Sequence, residues 1–155
     1  MASEQVTARG HFNITGRHKT TLEITRERDL TVRGDCIIGV EADKAASDFS
    51  SEFKKALRDP RNVLLIILEA RGIRDFLLAH CSSNLILSDT RRIIVRRSGF
   101  IEPATIGLHA TKAAGDLNRE LINALKNGET VLKADFYVLR LEQVEAVDPS
   151  TRGIL

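Results

Sequence analysis

With 155 residues, 43% of them hydrophobic and 28% charged, the chain is long enough for one domain that needs neither disulfide nor metal to fold. A net charge of +2 is too small to indicate a nucleic-acid partner by field strength alone. The longest apolar run, Val63 to Leu68, is far too short for a membrane-spanning helix, and MASEQVTARGH at the N-terminus lacks the apolar core of a secretory leader, so a cytoplasmic protein with no membrane association is expected.

In chain order, HFNITGRHKTTLEIT reads as a hairpin turning at Gly16. CIIGV reads as a strand. A helix follows, starting at Lys44, with Asp43 as its N-cap and Ala45, Ala46, Phe49, Phe53, Ala56 and Leu57 on one stripe. Pro60 marks its end, and NVLLIILEA has the pattern of a buried strand. DFLLAHCSSNLILSD reads as a second hairpin, turning at Cys81–Ser83, and ATIGLH as the next strand. A second helix has Thr111 as its N-cap, Lys112 in its first position, and Ala113, Ala114, Leu117, Leu121, Ala124 and Leu125 on its stripe. Gly128 ends it, and TVLKADFYVLRLEQV alternates loosely as a last strand.

The chain repeats itself at an offset of 68. Over Ile38–Arg58 and Ile106–Lys126, 10 of 21 positions are identical, among them Ile38/Ile106, Gly39/Gly107, Lys44/Lys112, Asp48/Asp116 and Glu52/Glu120. Duplication is the economical reading. The expected fold class is α+β, with a β-rich strand–helix–strand unit written twice, about 9–71 and 72–145, in a single domain over 1–155. Residues 146–155 form a C-terminal tail. Two such units must cover each other's apolar faces, either in a pseudo-two-fold barrel or in packed sheets with the two helices outside.

The segments RGHFNITGRHKTTLEIT, LTVRGDCIIGVEADKA and VRRSG resemble an archaeal family of conserved proteins known only as a domain of unknown function, over Gly10 to about Val138. The resemblance implies an archaeal, cytosolic protein. It brings no established activity and no catalytic residues.

Lysine in a first helical turn faces the positive end of the helix dipole, so Lys44 and Lys112 are misplaced unless an anion is near. Free N–H groups and a lysine suit phosphate. The expected ligand site is Asp43 and Lys44, helped by Lys19 and Arg33. The plainer alternative pairs Lys44 with Glu41 or Asp48. The first half also gathers His18, Glu23, Asp35 and Cys36, which are catalytic candidates for a small enzyme. A surface explanation competes: Leu22 and Ile24 point one way, Thr21, Glu23 and Thr25 the other. Cys36, beside IIGV, suits a small core residue as well as a nucleophile paired with His18.

RRIIVRR places Arg91, Arg92, Arg96 and Arg97 as candidate contacts to RNA phosphates. The competing explanation is charge protecting a sheet edge. Aromatic residues for base stacking are scarce. The His and Cys spacings match no metal motif, and GVEADK lacks the glycine density of a phosphate-cradling loop, so no metal and no cofactor are expected. The leading reading is a binding module for a phosphate-containing small molecule or an RNA backbone. The alternative is an enzyme using His18, Asp35 and Cys36 or Glu23 at one site in the first half.

Overall fold

The computed structural model describes residues 1–147. The strands are β1 (Ala2–Arg9), β2 (Thr21–Thr25), β3 (Ile37–Gly39), β4 (Asn62–Ala70), β5 (Ile73–His80), β6 (Arg92–Arg96), β7 (Thr105–Gly107) and β8 (Val131–Arg140). The helices are α1 (Ser51–Leu57), α2 (Arg119–Leu125) and α3 (Leu141–Val147), with 3₁₀ turns at Ala46–Asp48 and Ala114–Asp116. The fold is α+β. Of the tail expected over 146–155, the first two residues end α3 and the rest lies outside the described residues.

The strands form two four-stranded sheets, β1-β8-β4-β5 and β3-β2-β6-β7, not one closed barrel. The first is antiparallel throughout. In the second, the central β2–β6 pair is antiparallel and the outer β3 and β7 run parallel to their neighbours. Single antiparallel bridges, Arg9–Val40 and His80–Leu108, tie the sheets at both edges. Both expected hairpins are corrected. β1 pairs with β8 and β2 pairs with β6, so Gly16 lies in a connection between sheets. β5 and β6 likewise belong to different sheets. Among the described residues, the one β-hairpin turn between consecutive strands is at Arg71–Gly72, joining β4 to β5.

One apolar core lies between the sheets. Leu64, Ile66, Leu68, Ala134, Phe136 and Val138 meet Leu22, Ile24, Ile93 and Val95, all buried. Gly39 and Gly107 are needed where the sheets approach most closely. A Cβ on Gly39 would lie 2.8 Å from Leu132 and 3.0 Å from Ala8; on Gly107, 2.8 Å from Ala79. The repeated "IG" therefore records sheet packing.

Phe49, Phe53, Leu57, Leu117, Leu121 and Leu125 are all at most 3% exposed. The helices that carry them start later than expected. Asp48 accepts the Ala45 N–H at 2.8 Å and closes a 3₁₀ turn, and the chain then extends before α1 begins. Ser50 is the N-cap of α1, accepting from Phe53 N at 3.1 Å, and Asn118 is that of α2. Asp43 and Thr111 are not caps, because a competing side chain ends the first turn before an α-helix can propagate.

Candidate functional site

The charged side chains that recur near the helices are held internally. The Lys44 ammonium donates to Glu4 Oε1 at 2.9 Å and to the Gln5 carbonyl at 3.0 Å. The other Glu4 oxygen accepts the Ser50 N–H at 2.7 Å. Lys112 pairs with Asp75, which also accepts from Asn118 N at 2.7 Å. Burial pulls the Glu4 carboxyl upward, but the Ser50 N–H and Lys44 outweigh it and hold it below the ordinary value. The anion beside Lys44 is thus a carboxylate of β1. Asp43 accepts the Thr7 N–H at 3.0 Å. Lys19 and Arg33 are exposed, with no ion-pair partner among the described residues.

The densest polar group lies on the side of β2 and β6 that turns away from the core. Strand alternation sends Leu22, Ile24, Ile93 and Val95 inward. It sends Thr21, Glu23 and Thr25 outward on β2, opposite Arg96, Ile94 and Arg92 on β6. These outward residues are still covered: Glu23 is 8% exposed, Thr25 3% and Ile94 2%. The cover comes from the segments entering β3 and β7. Cys36 Sγ lies 3.9 Å from Glu23 Oε1, and Glu102 reaches over both arginines.

The Glu102 carboxylate is shared. One oxygen is 3.2 Å from Arg92 and the other 3.0 Å from Arg96. Arg92 also meets Asp89 at 3.1 Å and Glu23 at 4.0 Å. Arg96 donates to Thr21 Oγ1 at 3.2 Å and lies under the Phe100 ring, 4.8 Å from its centroid. Arg96 Nε is buried without a hydrogen-bond partner, and Glu102 Oε1, though paired in charge with Arg92, makes no well-aligned hydrogen bond. Burial raises the Glu23 carboxyl; Arg92 opposes this and Glu102, Asp89 and Glu27 reinforce it. Asp89 moves the other way, because N–H bonds from Arg91 and Arg92 outweigh its burial.

The candidates of the first half gather beside this group. The Glu23 N–H donates to the Cys36 carbonyl at 2.8 Å, and Arg17 and His18 N–H groups donate to the Asp35 carbonyl. His18 Nδ1 accepts from the N–H groups of Thr20 and Thr21 at 3.2 and 3.0 Å, which leaves the ring proton of the neutral form on Nε2. Burial, with Glu23 and Asp35 nearby, pushes the Cys36 thiol up to about 11, an environment that opposes a thiolate nucleophile. Cys81 is buried and pushed up to about 12. Among the described residues, no three His, Cys, Asp or Glu side chains are placed to hold a metal ion.

The arginine run divides by strand register. β6 is interior to its sheet, so the edge-protection explanation does not apply. Arg92 and Arg96, four apart, share one face. Arg91 and Arg97 flank the strand and pair with Glu27 at 3.5 Å and Asp116 at 3.2 Å. Sequence reasoning missed Asp89 and Glu102, which sit in irregular segments with no periodic signal. The even spacing of Arg92, Ile94 and Arg96 was the signal that could have shown the shared face.

No helix among the described residues is long and apolar enough to cross a membrane. A family model described as a domain of unknown function, DUF371, matches residues 6–138. The chain is also similar to an uncharacterised protein of Methanocaldococcus jannaschii, with 42% identity over 127 residues, covering 82% of this chain and 93% of that protein. With most of its length matched by the family model and by this archaeal relative, the chain belongs to the DUF371 family.

Proposed function

We propose that the chain is a binding module for a small anionic ligand of the phosphate type, held between Arg92 and Arg96 on the covered face of β2 and β6. The observation that carries this reading is the convergence of the two guanidiniums on one carboxylate, Glu102. Two forks aimed at one point are the arrangement that recognises a carboxylate or phosphate. Thr21 adds a hydroxyl at the same place, already hydrogen-bonded to Arg96. The cover over this face favours a small molecule over an RNA backbone, since the exposed Arg91 and Arg97 are each paired. Exposed Lys19 and Arg33 would contribute only long-range attraction. The site draws on both β2 and β6. This fits a duplicated chain, as does the order β-β-β-3₁₀-α-β running twice from β1 to β8.

Titration by backbone NMR tests the reading. Inorganic phosphate and pyrophosphate are expected to give saturable shifts at Thr21, Glu23, Arg92 and Arg96, lost in the Arg92→Met/Arg96→Met double variant. Short RNAs are expected to bind weakly and with steep salt dependence. Shifts confined to the Lys19 and Arg33 surface, or none, would contradict the assignment.

A second reading, a proton-transferring enzyme, draws on the raised Glu23 carboxyl beside arginines. Its signature is turnover of a bound ligand that Glu23→Gln abolishes while binding persists.

A further inference from the structure

We infer that Glu102 is a built-in competitor at the Arg92–Arg96 clamp, filling it until a ligand anion displaces the glutamate side chain. The inference rests on the anion-binding reading above and deepens it into a form of regulation.

Three carboxylates, Glu23, Asp89 and Glu102, face two arginines on this covered face. They are not held alike. Asp89 is fixed by the main-chain N–H groups of Arg91 and Arg92, at 2.7 and 2.8 Å, in addition to the Arg92 side chain. Glu23 sits on β2 itself, at 8% exposure. The Glu102 carboxylate touches only the two guanidiniums, from an irregular segment outside the sheet. Of the three, only Asp89 is held by main-chain N–H groups, and Glu102, unlike Glu23, is carried by a segment outside the sheet.

The segment is built to let the side chain swing. The Glu102 main chain is anchored to Thr105: its N–H donates to Thr105 Oγ1 and its carbonyl accepts the Thr105 N–H, both at 3.0 Å. The anchor stays while the carboxylate moves. The second contact over the clamp, Phe100 on Arg96, comes from the exposed stretch Ser98–Phe100, and Phe100 is 59% exposed. Glu102 also fills the site incompletely, since Arg96 Nε stays without a hydrogen-bond partner although buried, and Glu102 Oε1 meets Arg92 only as an ion pair. A phosphate offers more acceptor oxygens than one carboxylate and would satisfy the idle N–H. Unpaired buried polar atoms in a well-packed chain call for such a cause.

Calorimetric titration with inorganic phosphate and pyrophosphate, on the full chain, tests this. Glu102→Gln keeps the shape, removes the competing charge and turns one acceptor oxygen into an N–H donor that a guanidinium cannot pair with. It is expected to tighten binding about tenfold, because apparent affinity is reduced by the fraction of molecules whose site is filled. Phe100→Ala, which leaves every charge in place, is expected to tighten it by a smaller factor. Melting curves establish that both variants are folded. Equal affinity in wild type and both variants would overturn the competitor role and leave the anion site standing. No binding of either anion by wild type or variants would overturn the site and the competitor together.

Discussion

Phe53→Ala is expected to destabilise the fold by about 3–5 kcal/mol, the range for truncating a buried phenylalanine. Phe53 is 1% exposed, on the buried face of α1, and its ring packs edge-on against Phe49 at 5.0 Å. Phe49 in turn contacts Phe136 at the centre of the first sheet, 5.7 Å between ring centres. Truncation removes the ring that links the helix to the sheet, and α1, seven residues long, has little stability of its own. For a domain of this size the melting temperature should fall by about 10 °C. A shift within error of wild type would show that the α1 stripe does not carry the core.

Arg92→Met is expected to give the second large effect, and one that depends on pH. The substitution keeps an apolar stem and leaves Glu23, Asp89 and Glu102 facing each other with Arg96 as the remaining cation. Removing one partner of a buried network is costly, about 3–5 kcal/mol when fully buried. The Arg92 side chain is 38% exposed, so solvent screening reduces this to roughly 1–3 kcal/mol at neutral pH. The sign follows from the carboxyls. Asp89 is depressed below 3.8 in the fold, so its contribution is present above that value and lost as pH falls through the folded value. Glu23 is raised above 4.5, so its cost to folding grows as pH rises from 4.5 through its folded value, is complete above that, and is relieved in acid. Without Arg92 the carboxyls of Glu23 and Asp89 lose a lowering influence and move upward. The gap between variant and wild type should be widest near pH 7 and narrow as pH falls toward 4. A gap of constant size across that range, followed by thermal melts, would show that Arg92 acts only through its packed stem.

Apolar spacing made the core legible before the fold was known. The stripe Phe49, Phe53, Leu57 and its partner Leu117, Leu121, Leu125 name buried residues correctly, although Phe49 and Leu117 lie just outside the helices. Burial survives because a 3₁₀ turn followed by two extended residues keeps the same side facing inward. Strand pairing was not legible in this way. β1, ASEQVTAR, has only Val6 and Ala8 as buried apolar residues, and its partner β8 is far away in sequence. Nearby runs such as HFNIT invited a local hairpin instead. The candidate site was half legible. Glu23, Cys36, Arg92 and Arg96 stood out by type, but their meeting depends on β2 pairing with β6, and Glu102 arrives from a segment without pattern. The lysines misled for a physical reason: Glu4 and Asp75 reach the helix starts from other strands and supply the compensating charge.

The most direct test of the central claim is a crystal structure of the wild-type chain grown with saturating inorganic phosphate and no sulfate. The expected result is a tetrahedral anion bonded to the guanidiniums of both Arg92 and Arg96, with the Glu102 carboxylate swung out and Phe100 lifted from Arg96. Glu102 still bridging the two arginines at its present 3.2 and 3.0 Å, with no anion between them, would contradict the account.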